Sequence, residues 1–265
     1  MTEMVNIPIF GPLASKGFRY GSLILVEYEA HSLWYETSLT IAANALKNGL
    51  ATDYHTFQRP PKDVRDSITK LGVDVEKEEE AKRFRIIDSY DCQLGVAAQQ
   101  QEKRGGLTQG RAQETLAVSD WREPTTSVLT AEQDEIIEKN RLHIDDNTSA
   151  LLSANDEKSV NDFWLKIAGI TKKYGLIMIN SVCTGCASQA FYNKFESIAD
   201  AIVDFTTKEG EEVEHLIRMR VVRGVSCDSR WKTIKLNEAG ESILLESRQA
   251  ELGQGLSGWL KGRQK

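Results

Sequence analysis

The stretch from Gly21 to Leu46 admits few folds. Leu23, Ile24, Leu25 and Val26 form an unbroken aliphatic run. The run is too short for a buried helix and breaks at Glu27, so it reads as a strand buried on both faces. A short loop follows, and Leu39, Ala42, Ala43 and Leu46 then recur at helical spacing until Asn48-Gly49 ends the helix. A strand that leads directly into a helix is half of the unit from which parallel sheets are built.

The same alternation continues along the chain. Tyr54 to Phe57 reads as a second strand, and Pro60-Pro61 opens a helix with Val64, Ile68 and Leu71 on one face and Gly72 as its stop. Phe84 to Asp88 and Leu142 to Asp145 are further strands. Asp156 caps a helix whose Val160, Phe163, Trp164, Ile167 and Ile170 form an apolar stripe, Gly175 ends it, and Leu176 to Ile179 is again a buried strand. Beyond Ser197 the chain turns β-rich: Ile202 to Phe205, Leu216 to Val222 and Ile234 to Leu236 read as strands, with turn-like KEGEE and NEAGE beside them.

The expected class is α/β: a mostly parallel twisted sheet flanked by helices, finished by antiparallel strands at the C-terminal end. Nothing suggests an internal repeat, and residues 1–265 read as one domain. Its interruption is a long polar excursion at 91–140, containing QQQEKRGG, expected to be helical near Thr130 to Lys139 and mobile at Gln99 to Gly110. A glycine-rich tail, basic at its end, occupies 247–265.

Bulk properties exclude some partners. A net charge of −6 gives the whole surface no attraction for polyanions. No apolar run approaches the roughly 20 residues that span a bilayer. The start, MTEMVNIPIF, lacks the pattern of a secretory leader. Four cysteines in 265 residues do not make a disulfide framework. These features predict a cytoplasmic protein without membrane contact.

The frame from Leu23 to Leu46 is that of a phosphate-binding loop, yet the loop reads YEAHSLWY, without glycine or lysine. Five pieces fall in order between Gly17 and Leu245: GFRYGSLILVE, NGLATDYHTF with RPPKDVRDSITKLG, RFRIIDSY, LHIDDNTSALL, and RGVSCDSRWKTIKLNEAGESIL. Together they resemble the KaiC-like branch of the RecA superfamily, in an archaeal style. The resemblance implies a RecA-like fold and, for ordinary members, ATP held between the subunits of a ring.

The residues that would hold ATP are changed. Aligned on the strand, the motif G-x-x-x-x-G-K-[ST] places Tyr28 and Leu33 at its glycines, Trp34 at its lysine and Tyr35 at its hydroxyl residue. Glycines let backbone N–H groups wrap phosphates, the lysine supplies charge and the hydroxyl holds Mg²⁺; these four side chains do none of this. Gln58 and Arg59 stand where the family usually carries acidic residues that polarise water. The metal-associated aspartate survives as Asp146, or as Asp145 if the register slips by one. Of the K-M-R-G motif whose cations reach a neighbour's ATP, VVRG keeps Arg223 and Gly224 but puts Val221 at the lysine position. The resemblance thus outlines a vestigial nucleotide site, with its cleft sealed by aromatic side chains. No catalytic residue, bound cofactor or metal is expected.

Two other features compete for a role. Cys183-Thr-Gly-Cys186 follows a strand; a metal there needs two more ligands, from Cys227 and one of His31, His55, His143 or His215. Ordinary cysteines are the expectation. Arg218 and Arg220, with Arg223, Arg230, Lys232 and Lys235 behind them, form a face for nucleic-acid phosphates or a charged edge that blocks sheet pairing. Three readings therefore stand. The preferred one is a non-catalytic regulatory or scaffolding protein that binds itself, as a homo-oligomer, or active KaiC-like relatives. The alternatives are a nucleic-acid binder using the arginine-rich strands, and an enzyme with a repurposed cleft around Asp146 and the cysteine pair.

Overall fold

The computed structural model describes residues 4–90, 115–117 and 140–245. The helix expected near 130–139, the mobile stretch at 99–110 and the tail at 247–265 lie outside the described residues.

In chain order, the strands that precede the polar excursion are β1 (Met4–Val5), β2 (Phe18–Arg19), β3 (Leu23–Tyr28), β4 (Thr52–Thr56) and β5 (Phe84–Asp88). Next come β6 (Thr115–Ala117), β7 (Leu142–Asp145), β8 (Ile177–Cys183) and β9 (Ala201–Lys208). The last three are β10 (Glu214–Val222), β11 (Lys232–Leu236) and β12 (Ser242–Leu244). Among the described residues the α-helices are α1 (Trp34–Lys47), α2 (Pro61–Lys70), α3 (Val75–Glu80), α4 (Glu157–Tyr174) and α5 (Gln189–Ile198).

A ten-stranded sheet runs in the order β12-β11-β10-β9-β3-β8-β7-β4-β5-β6. From β9 to β6 every pairing is parallel, and from β9 to β12 every pairing is antiparallel. The change of sense follows from the connections: β9 returns to β10 through the short KEGEE turn, whereas each earlier crossover carries a longer excursion. All six residues of β3 are buried, as its aliphatic run requires of a strand between β8 and β9. The expected antiparallel finish is present and is one strand longer, because β12 extends it.

Residues of alternating parity feed two cores. Ile24, Val26, Trp34, Ile41, Ile86, Ile144 and Val203 belong to the core on the α1 side. Leu23, Leu25, Phe57, Trp164, Met178 and Phe195 belong to the core on the α4–α5 side. The Asp156 cap is realised, with its side chain accepting from Ser159 N at 2.7 Å. Gly175 closes α4 at φ +67°, a conformation that favours glycine. Helix α5 has no counterpart in the sequence reading. Its signal was available: Ser188 accepts from Phe191 N at 3.2 Å, and Phe191, Tyr192 and Phe195 make the buried stripe.

Candidate functional site

The loop between β3 and α1 lies over the C-terminal edge of the parallel strands, where open α/β sheets place their ligands. It is held down on the β9 side. Glu29 N donates to Phe205 O at 3.0 Å, and the Glu29 carboxylate accepts from Thr207 N at 2.9 Å. Ser32 N donates to Glu29 O at 2.9 Å, which closes the turn with Ala30 and His31 exposed at its tip. No residue from Glu29 to Leu33 has positive φ, so the loop never takes the left-handed geometry that turns successive N–H groups onto an anion.

Helix α1 begins at Trp34, and its indole is fully buried. The ring meets Phe205 edge-on with centroids 5.4 Å apart and lies 6.4 Å from Tyr28. Its Nε1 donates to the main-chain oxygen of Asp146 at 2.9 Å. Gln58 Nε2 donates to the same oxygen at 3.0 Å. Thus two side chains, Trp34 and Gln58, bond through the one carbonyl of Asp146. Tyr35 faces Arg59, whose guanidinium carbon stands 5.6 Å from the ring centroid. Tyr28, Leu33, Trp34, Tyr35, Gln58 and Asp146 are therefore gathered at one edge of the sheet.

Asp146, not Asp145, is the aspartate that meets the loop. Its carboxylate accepts from Phe57 N at 2.8 Å and lies 3.3 Å from the Thr56 hydroxyl. Complete burial lifts its carboxyl to about 7, against the pull of these donors, and the neighbouring Asp145 charge adds to the rise. Arg223 is not part of this group. It follows β10 at the opposite edge, where its N–H donates to Asp200 O at 2.8 Å and its guanidinium to Ser197 O at 2.5 Å. There it lines a cavity of about 310 Å³ together with Arg19, Ser22 and Asp200.

The cysteine pair lies in a turn pinned by Tyr192, whose hydroxyl donates to Cys183 O at 2.7 Å and accepts from Cys186 N at 3.1 Å. Burial and the adjacent Cys186 raise the Cys183 thiol to about 11. Among the described residues, neither cysteine belongs to a group of three possible metal ligands. Arg218 and Arg220 do share one side of β10, but both are engaged. Arg218 bonds Asp204 at 2.6 Å and stacks 4.4 Å from the Trp231 centroid; Arg220 bonds Asp204, Glu27 and Glu196.

A second constellation escaped the sequence reading. On the α4–α5 side of the sheet, Asp145 Oδ1 lies 3.0 Å from His55 Nδ1 and 3.2 Å from His143 Nε2. His55 Nε2 lies 2.7 Å from Ser89 Oγ. In the sequence both histidines stand only as candidate partners for the cysteines. The parallel pairing of β4 with β7 instead sets His55 opposite Asp145, 90 residues away in sequence. Two polar residues alternating within an apolar strand, as in LHID, are the available signal.

The parallel order β9-β3-β8-β7-β4, with a strand–loop–helix at its centre and helices beside it, defines a RecA-like fold. No protein-family model matches the sequence, and no curated protein matches it. Among solved structures, 554 chains match, so the architecture alone does not select an activity. One similar structure is a KaiC-like protein from the hyperthermophilic archaeon Pyrococcus horikoshii OT3, with a TM-score of 0.62 at 15% identity. The match covers 93% of this chain and 99% of that one, so the likeness extends over the whole architecture. At that identity it establishes the fold.

Proposed function

We propose that this chain is a non-catalytic RecA-like protein that acts by binding protein partners, either copies of itself or KaiC-like relatives. The observation that carries the reading is the buried Trp34 indole, bonded to Asp146 O at 2.9 Å. An ATP site needs an open cradle of N–H groups and a cation at this edge of the sheet. Here the first helical residue fills that space with a neutral ring. Asp146, the one acidic group retained, has its carboxylate turned toward Phe57 N and Thr56. The alternative nucleic-acid reading loses force because Arg218 and Arg220 spend their charge on Asp204, Glu27 and Glu196. The repurposed-cleft reading draws on Asp146, whose side chain is fully buried and engaged by Phe57 N at 2.8 Å.

Titration calorimetry with Mg²⁺ and ATP tests the reading. The expected result is no heat of binding at millimolar nucleotide and no hydrolysis above background. Micromolar affinity overturns it. Trp34→Lys alone is expected to leave binding absent, since the loop still lacks glycine.

A further inference from the structure

The face of β4 and β7 toward the α4–α5 side carries two buried carboxylates in successive rows, and the chain treats them differently. Asp53 is met by two guanidiniums: Arg85 Nε lies 2.8 Å from it and Arg141 Nη2 2.7 Å. Asp145, one row nearer the C-terminal edge, is 3% exposed and bonds no lysine or arginine among the described residues. Its Oδ1 receives His55 and His143. Its Oδ2 lies 2.8 Å from the side-chain amide of Asn180, with that amide oriented to donate.

We propose that His55, His143 and Asp145 form a buried site for a divalent transition-metal ion of the zinc type. Two imidazole nitrogens and a carboxylate oxygen suit such ions, whereas Mg²⁺ and Ca²⁺ favour sets made of oxygen alone. Zinc bonds of 2.0–2.2 Å place neighbouring ligands of a tetrahedral ion about 3.3 Å apart. The separations from Asp145 Oδ1 are 3.0 and 3.2 Å, and all three ligand atoms lie within 4.8 Å of one another. Small side-chain rotations would seat an ion, with one position left for water.

The surroundings have the arrangement that orients metal ligands. A histidine that ligates through one nitrogen donates from the other, which fixes its tautomer and ring plane. With Nδ1 on the ion, His55 Nε2–H would donate to Ser89 Oγ, already 2.7 Å away. Asn180 would hold the second carboxylate oxygen in the same way.

Burial separates this cluster from a surface group of the same residues. Asp145 is 3% exposed, His55 1% and His143 2%, and a buried carboxylate is costly unless a cation meets it. A divalent ion held by the three side chains would meet that charge.

Ser89, His55 and Asp145 are also placed in the order of a nucleophile, base and orienting acid. Ser89 is fully buried, so an acyl substrate has no approach to Oγ, whereas a metal ion can be taken up as the chain folds. The observations favour the ion.

The test uses the full chain, stripped with chelator and then titrated with Zn²⁺ and, separately, Co²⁺. The expected result is one ion per chain, a raised thermal midpoint with Zn²⁺ but not Mg²⁺, and a cobalt spectrum without thiolate-to-metal charge transfer. Cys183→Ser is expected to change nothing. Ser89→Ala, which removes only the hydroxyl behind His55, is expected to weaken affinity about 10- to 100-fold. His143→Ala is expected to abolish stoichiometric binding, and the intact chain's cobalt spectrum stands even if that variant fails to fold. Absence of Zn²⁺ binding by the intact chain, or a thiolate band lost in Cys183→Ser, overturns the proposal. Labelling of Ser89 by a fluorophosphonate also overturns it, in favour of the nucleophile.

Discussion

Trp34 Nε1 and the main-chain oxygen of Asp146, 112 residues apart in sequence, are joined by a buried hydrogen bond of 2.9 Å. The bond ties the start of α1 to the end of β7. In an ATP-binding relative of this fold, a cation and a metal-associated carboxylate would face each other across phosphates here. In this chain the indole of Trp34 lies between these two elements, fully buried.

Trp34 should therefore be a stability residue. Trp34→Ala is expected to cost about 3–5 kcal/mol in denaturant unfolding, the range for truncating a buried large aromatic side chain. A loss below about 1 kcal/mol would mean that the loop collapses freely into the vacated space.

Asp146 makes stability depend on pH. Its carboxyl rises from the usual 3.8 to about 7 on folding, so the folded chain keeps a proton that the unfolded chain has released. The stabilising contribution is complete below about pH 4 and is lost as pH climbs through about 7. Asp146→Asn cannot ionise. Its unfolding free energy is expected to gain on the parent's between about pH 4 and 8, by on the order of a few kcal/mol. Parallel pH profiles for the two proteins would contradict the assignment.

The Asp53 site should be intolerant of neutralisation. Asp53→Asn removes the carboxylate shared by Arg85 and Arg141, and breaking a buried pair from one side costs about 3–5 kcal/mol. Chemical denaturation measures this directly.

Assembly should not require nucleotide. Light scattering at micromolar concentration, with no ATP present, is expected to show a species larger than the 29.7 kDa chain. Arg223 is exposed at the sheet edge opposite the loop, so Arg223→Ala is expected to shift that species toward monomer while leaving unfolding unchanged within about 0.5 kcal/mol. A clean monomer of the parent would redirect the search to a different partner.

The two cysteines of the C-x-x-C turn should differ in reactivity. Burial and Cys186 hold the Cys183 thiol at about 11, so it stays protonated at neutral pH, and Cys186 is exposed. Mass spectrometry after brief iodoacetamide treatment at neutral pH should find Cys186 alkylated well ahead of Cys183.

Local sequence determined the repeating elements. The aliphatic run of β3, the cap at Asp156 and the stop at Gly175 act within one turn or strand, so their signals sit side by side in the chain. Local sequence also showed that the loop before α1 carries no glycine, because glycine's freedom is either present or absent at a given residue. Tertiary structure decided what the side chains at the start of α1 meet. That Trp34 and Gln58 would share the carbonyl of Asp146 depends on β7 and β4 ending beside α1. It also decided the fate of the arginines on β10, which meet Asp204 only through the pairing of β9 with β10. His55, His143 and Asp145 show the reason most plainly. Strand periodicity assigns each residue to a face, but only register states which residues of two strands stand opposite. Register between parallel strands is set by the crossovers and the cores that pack on them, which no single segment encodes.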